Sequence, residues 1–264
     1  MPRLRVCAVS YLNTVPLVWG MLHGDQKGLF DLTFRVPAEC ADMVAAHAAD
    51  IGIIPSFELI GRDLGIVPGI GIASRGAVRS ILLVSRRPAK EIRTLAADSS
   101  SRTSVALARI ILARRYGVEP AIVRRPPDLP GMLAEADSAL IIGDPALHIR
   151  PEATPFHVYD LGREWTEMTG LPMVFAVWAG PRELVTPRVA AAFQDSCAFG
   201  LRSLDRIAVE EAQARGFSTD LVRRYFASHI VFNLGAPERQ GMELFLQYGR
   251  EINRQPGLTP AGAL

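Results

Sequence analysis

Apolar runs of strand length alternate with helix-period segments along most of this chain, and no other feature narrows the choice of fold as far. Residues 4–9, 32–36, 51–54, 66–72 and 80–84 are short runs rich in valine, isoleucine and leucine. Helix signals fall between them: Thr14 stands as a cap ahead of Pro16, and a short helix is expected over 38–47. The pattern resumes at 92–97, with strands expected again at 121–123, 139–142, 158–161 and 172–178, and helices at 104–116 and 131–136. Such alternation predicts parallel-rich α/β sheet with helices on both faces. Ligands of these sheets sit at the carboxyl ends of the strands. The polar turns at 10–13, 55–56 and 98–104 all occupy that position.

The richest of these turns is Asp98-Ser99-Ser100-Ser101-Arg102-Thr103-Ser104. Serine and threonine where a helix begins cap it through their side-chain oxygens. The free N–H groups of the first turn and the positive end of the helix dipole then suit an anion. An ordinary N-cap in a polar loop would use the same residues, so the recurrence of such turns matters more than this one alone.

A break in composition at Ser85-Arg86-Arg87-Pro88-Ala89-Lys90 suggests a domain boundary. After Gly180-Pro181 the pattern is helical, over 187–214, 218–228 and 237–253. A tail without strands has no sheet of its own to cover, so it is expected to return to the first lobe. The expected organisation is one lobe of residues 1–85 with 180–264 and another of 86–179. Chain crossings near 82–87 and 176–181 would leave a cleft between them.

Several function classes are disfavoured. A net charge of +2 and scattered arginines give no stripe for nucleic acid. The three cysteines, Cys7, Cys40 and Cys197, have neither disulfide-framework nor zinc spacing, which points to a reducing compartment. The strand pattern begins almost at once, no apolar run would span a membrane, and a cytoplasmic protein is expected. The chain has no HExxH, P-loop, GxSxG or CxxC motif. The run Gly69-Ile70-Gly71-Ile72-Ala73-Ser74 lacks the third glycine and helix of a dinucleotide site. The five histidines are dispersed, and none falls in a strand-end turn. Only Asp98 and Asp144 among the acids stand at strand ends, where capping and bracing compete with substrate contact. A cleft lined by hydroxyls, amides and backbone N–H groups fits a small organic anion better than metal or nucleophilic chemistry.

A series of motifs then carries a resemblance. Ser10-Tyr11-Leu12-Asn13-Thr14, Asp50-Ile51-Gly52-Ile53-Ile54-Pro55-Ser56 and Ser74-Arg75-Gly76-Ala77-Val78-Arg79-Ser80 come first. Asp98 to Ser104, Ile142-Gly143-Asp144-Pro145-Ala146, Asp160-Leu161-Gly162-Arg163-Glu164-Trp165 and Thr169-Gly170-Leu171-Pro172-Met173-Val174-Phe175-Ala176 follow in the same order. Together they resemble the chorismate dehydratase family of the futalosine route to menaquinone. Met173 stands where that pattern has an aromatic residue. The helical tail carries no motif.

The resemblance implies a fold like type II periplasmic binding proteins, with two α/β lobes, a cleft and two crossover strands. It implies a carbon–oxygen lyase that takes chorismate, a small dicarboxylate, to 3-[(1-carboxyvinyl)oxy]benzoate and water, without metal or organic cofactor. It also implies that the substrate's own enolpyruvyl carboxylate accepts the proton. Asn13 and Ser80 would be catalytic; an Asx-turn brace and a cross-strand hydroxyl are their structural alternatives. Ser99, Ser100, Ser101, Thr103 and Ser104 would hold a carboxylate. Arg102 would add a charge-assisted bond or point to solvent. Ser10 and Ser56 would line the first-lobe wall, Tyr11 would pack on the substrate ring or the core, and Asp144 would contact substrate. Phe175 and Trp178 read as core. Nucleic-acid and membrane partners are not expected, and monomer and dimer are both open. The competing readings are a cytoplasmic organic-anion binder, a regulator's effector domain (there is no helix-turn-helix ahead of it), and the sister enzyme that forms dihydroxynaphthoate.

Overall fold

The computed structural model describes residues 3–98 and 100–253. The chain begins β1 (Leu4–Val9), α1 (Val15–His23), β2 (Phe30–Arg35), α2 (Pro37–Ala45), β3 (Ile51–Pro55) and β4 (Gly65–Ser74). It continues through β5 (Ile81–Ser85), β6 (Thr94–Asp98), α3 (Arg102–Tyr116), β7 (Ala121–Arg125), α4 (Leu129–Glu135), β8 (Ser138–Ile142), α5 (Gly143–His148) and β9 (His157–Asp160). It ends with α6 (Leu161–Thr169), β10 (Met173–Gly180), α7 (Pro187–Arg202), α8 (Leu204–Arg215), α9 (Thr219–Ser228), β11 (Val231–Asn233) and α10 (Ala236–Asn253).

Two sheets organise these elements. One has the order β11-β4-β10-β3-β1-β2, the other β7-β6-β8-β5-β9. Both are mixed rather than parallel-rich: β1 pairs parallel with β2 and β3, while β10 runs antiparallel to β3 and β4. In the second sheet β6 is parallel to β7 and β8, but β5 is antiparallel to β8 and β9. Every residue of β3 and β10 is buried, as unbroken apolar runs at the centre of a covered sheet require. The edge strand β2 shows mostly exposed positions.

The lobe boundaries differ from those expected. β5 belongs to the second sheet and β10 to the first, so the chain crosses over 75–80 and 161–172. A continuous apolar strand suits the middle of either sheet, so composition could not assign these two. The tail is not strand-free either, since β11 extends the first sheet beside β4. It does return to the first lobe: α7 packs on α1 so closely that a Cβ on Gly200 would fall 1.9 Å from the Pro16 carbonyl oxygen. The helix expected over 187–214 breaks at Ser203, whose hydroxyl donates back to the Phe199 carbonyl at 2.9 Å. Such back-bonding competes with the helical ladder and bends it.

Aromatic side chains fill the first lobe and its junction. Trp178 meets Phe193 edge-on at 4.9 Å, and Trp165 of α6 meets Phe245 of α10 at 6.0 Å. Each such burial removes enough apolar surface to contribute roughly 1.5–3 kcal/mol. Among the described residues no helix is long and apolar enough to cross a membrane.

Candidate active site

The carboxyl ends of β1, β3, β6 and β8 converge on one cavity between the sheets. Its walls include Tyr11 and Asn13 after β1, Pro55 at the end of β3, Ser101, Thr103 and Ser104 at the start of α3, and Gly143 after β8. Ser80, from the first crossing, and Phe175 of β10 complete it.

Each polar wall residue is held by local chemistry. Ser101 caps α3, accepting the Ser104 N–H at 3.2 Å while its hydroxyl reaches the Ser104 Oγ at 2.9 Å. The 15-residue helix ends at Gly117 in the left-handed region, so its dipole axis is well formed and its positive end faces the cavity. Thr103 Oγ1 accepts the Phe57 N–H at 3.0 Å from across the cleft. Ser100 donates to Asp98 Oδ1 at 2.6 Å and shares a 3.1 Å bond with the Tyr11 hydroxyl. Burial pushes the Tyr11 phenol up to about 12, against the bond from Ser100.

Ser80 is set by the crossing that precedes it. The Asp160 carboxylate accepts the N–H groups of Val78 and Arg79 at 2.9 and 2.6 Å while capping α6 through Gly162 and Arg163. One side chain thereby fixes both passages of the chain between lobes. Arg79 is held at φ 65, a conformation that costs a non-glycine residue about 1 kcal/mol or more and persists only where the surroundings dictate it. The next residue is Ser80, whose Oγ accepts a 2.8 Å bond from the hydroxyl of Tyr225. Burial raises the Tyr225 phenol, opposed by Ser80 and Asn13, so it stays a donor at neutral pH. Asn13 is half-buried, and its Oδ1 takes a long, 3.4 Å bond from Thr14. Its side chain lines the cavity beside the Tyr225 hydroxyl.

Of the residues singled out in the sequence, Tyr11, Asn13, Ser80, Ser101, Thr103 and Ser104 share this cavity. Others are placed elsewhere. The Arg102 guanidinium is taken up by Glu58 at 3.0 Å and Asp42 at 2.7 Å, joining the lobes beside the cavity rather than lining it. Ser56 is fully buried and donates to the Val174 carbonyl at 2.7 Å, bracing β10. Ser10 is exposed, and its carbonyl accepts from Arg215. Ser100 stands behind the wall as the Asp98–Tyr11 link. Asp144 accepts the Leu12 N–H at 2.9 Å and is ion-paired with Arg215, so it holds the Tyr11–Asn13 turn in place. Burial raises its carboxyl, while Leu12 and Arg215 oppose the rise. Ser99 lies outside the described residues.

Two residues of this site escaped the sequence, Phe175 in the wall and Tyr225 behind Ser80. Phe175 sits in a run that reads as core, and only the sheet geometry shows that it faces the cavity. Tyr225 lies on α9, in a tail without motifs, and a helical tyrosine at this spacing carries no local signal.

Comparison with known proteins places the chain. A family model described as menaquinone biosynthesis matches residues 4–251. A chorismate dehydratase of Thermus thermophilus is 30% identical over 255 residues, spanning 90% of this chain and 92% of that protein. Among solved structures, a protein of Archaeoglobus fulgidus superposes with a TM-score of 0.75 at 16% identity, covering 95% of this chain and 98% of the other. The aliphatic sulphonate-binding protein SsuA of Escherichia coli gives 0.63 at 15%, covering 97% and 95%. A Candida albicans protein described as having the generic periplasmic binding protein fold gives 0.63 at 12%, covering 97% and 92%. These likenesses fix the architecture as that of periplasmic binding proteins, two α/β lobes about a cleft. With motifs, cavity and family model in agreement along nearly its whole length, the chain belongs to the menaquinone biosynthesis family.

Proposed function

We propose that this protein is a cytoplasmic chorismate dehydratase, a hydro-lyase that forms 3-[(1-carboxyvinyl)oxy]benzoate and water at the start of the futalosine route to menaquinone. The observation that carries this reading is the make-up of the cavity wall. It offers hydroxyls, one amide and a helix N-terminus, and no carboxylate, imidazole or amine among its lining residues.

That composition suits an elimination driven by the substrate itself. The ring carbon bearing the ether loses a proton, its C–H electron pair becomes a ring double bond, and the C–O bond to the neighbouring hydroxyl breaks. The proton, once taken up by its acceptor, is passed to the departing hydroxyl, the two leave as water, and the ring becomes aromatic. The enolpyruvyl carboxylate of the substrate acts as proton acceptor. The protein supplies orientation and charge stabilisation. The Ser101–Ser104 turn and the positive end of α3 hold a carboxylate; the Asn13 amide and the Ser80 hydroxyl, backed by Tyr225, meet the departing oxygen. Phe175 and Tyr11 give the ring flat apolar neighbours.

The test is to incubate the purified chain with chorismate and follow the product by ultraviolet absorbance and mass. Loss of one water with a benzoate spectrum is expected. Binding without turnover would make the protein an organic-anion binder, and inertness towards chorismate would favour the sister enzyme.

A further inference from the structure

A second cavity lies on the far side of Tyr225 from the active-site cleft, and nothing in the dehydration uses it. It measures about 550 Å³, within the range of small-molecule sites, and both lobes build it. The second lobe contributes Arg79, His148 and Arg150 around the end of α5; the first contributes Phe217, Arg224 and His229. His148 lies against the Phe217 ring with centroids 4.5 Å apart, which gives one flat wall.

Its charge is uneven. Three arginines line it, and Glu152 is the one carboxylate among the lining residues. The Arg79 guanidinium is committed to the last carbonyls of α5, donating to Ala146 at 2.9 Å and also to Ile149. Arg150 and Arg224 form no ion pair or hydrogen bond to an acid among the described residues, whereas the exposed Arg206 and Arg223 pair with Glu210 and Asp205. The Arg150 and Arg224 guanidiniums, one from each lobe, present planar forks that match carboxylate or phosphate oxygens.

We propose that this cavity is a second ligand site, for a small dianion whose carboxylate or phosphate groups are gripped by Arg150 on one lobe and Arg224 on the other. A bound dianion would bridge the lobes behind Tyr225, apart from the substrate cleft, and the site stands whether or not the chain dehydrates chorismate.

Calorimetric titration of the full chain with inorganic pyrophosphate, phthalate and, as a monoanion control, acetate tests it. Saturable binding of pyrophosphate or phthalate is expected, with acetate far weaker; pyrophosphate alone would mark a phosphate site and phthalate alone a carboxylate site. Arg150→Gln with Arg224→Gln should weaken the bound dianion at least tenfold, whereas Ser101→Ala with Ser104→Ala in the cleft should leave it unchanged. Both arginines are exposed, and circular dichroism with each single variant guards against misfolding of the pair. No saturable heat from either dianion, equal affinity in the arginine variants, or loss of binding in the cleft variant instead would overturn the proposal.

Discussion

Tyr225 shows how a residue outside every motif governs one inside. Its hydroxyl is the donor that orients Ser80, 2.8 Å away, and its ring is buried behind that serine. Tyr225→Phe should lower kcat about tenfold with KM nearly unchanged, and cost about 1 kcal/mol of stability for the lost buried bond. Combined with Ser80→Ala it should add little, because the two act as one unit; additive losses would separate them. Asn13→Ala should reduce kcat by about 10²- to 10³-fold, the usual effect of removing a donor aimed at developing charge, with little change in Tm. A large fall in Tm would make Asn13 a turn brace instead. Asp98 gives a pH test. Burial raises its carboxyl above the ordinary value of 3.8, against two bonds from Ser100. A carboxyl raised by folding takes up its proton more readily in the native chain. The stability this contributes is fully present below 3.8 and is lost as pH rises through the raised value. Asp98→Asn removes that slope, so the Tm of the variant relative to wild type should climb across this interval and level off above it. A difference that stays constant over the same interval would show that the carboxyl is not perturbed.

At the scale of elements, α5 does its work at its first two residues. Gly143 is held at φ 63, and a Cβ there would lie 2.5 Å from the Tyr11 ring. Asp144 then fastens the turn that carries Asn13. Asp144→Ala should cost about 2 kcal/mol, since it leaves the buried Leu12 N–H unmatched and Arg215 with only Glu211 and the Ser10 carbonyl, and should also depress turnover by loosening that turn. Chemical denaturation with parallel kinetics separates the two effects. The sequence announced this segment as a polar strand-end turn, and the position of the turn was legible; its role was not. An aspartate after a strand looks the same whether it meets substrate or a backbone N–H on the other lobe. Its partner Arg215 lies far along the chain, at the end of a helix with no motif. The same holds for Arg102, where the turn is visible in the sequence and the direction of the side chain is settled by Asp42 and Glu58 from the opposite lobe.

At the scale of the whole molecule, two α/β units and a returning tail were readable from alternation, because each strand-helix period is local. The sheet that each strand joins is a long-range choice, which is why β5 and β10 were expected in the wrong lobes and β11 went unseen. The lobes are also tied across the cleft in a way no local pattern reveals. The Ala38 N–H donates to the Ser100 carbonyl at 2.9 Å, the Phe57 N–H meets Thr103, and Arg102 spans Glu58 and Asp42. These contacts hold the lobes in a closed arrangement beside the cavity. Arg102→Ala would weaken the closed state by about 1 kcal/mol, which corresponds to roughly a fivefold rise in KM if closure is linked to binding. Glu58→Gln should act in the same direction, because it removes the charge that Arg102 grips without touching the cavity wall. Steady-state kinetics on both variants distinguish the two roles of the arginine: parallel rises in KM mean that it holds the lobes, whereas a rise in Arg102→Ala alone would mean that it holds a carboxylate of the substrate.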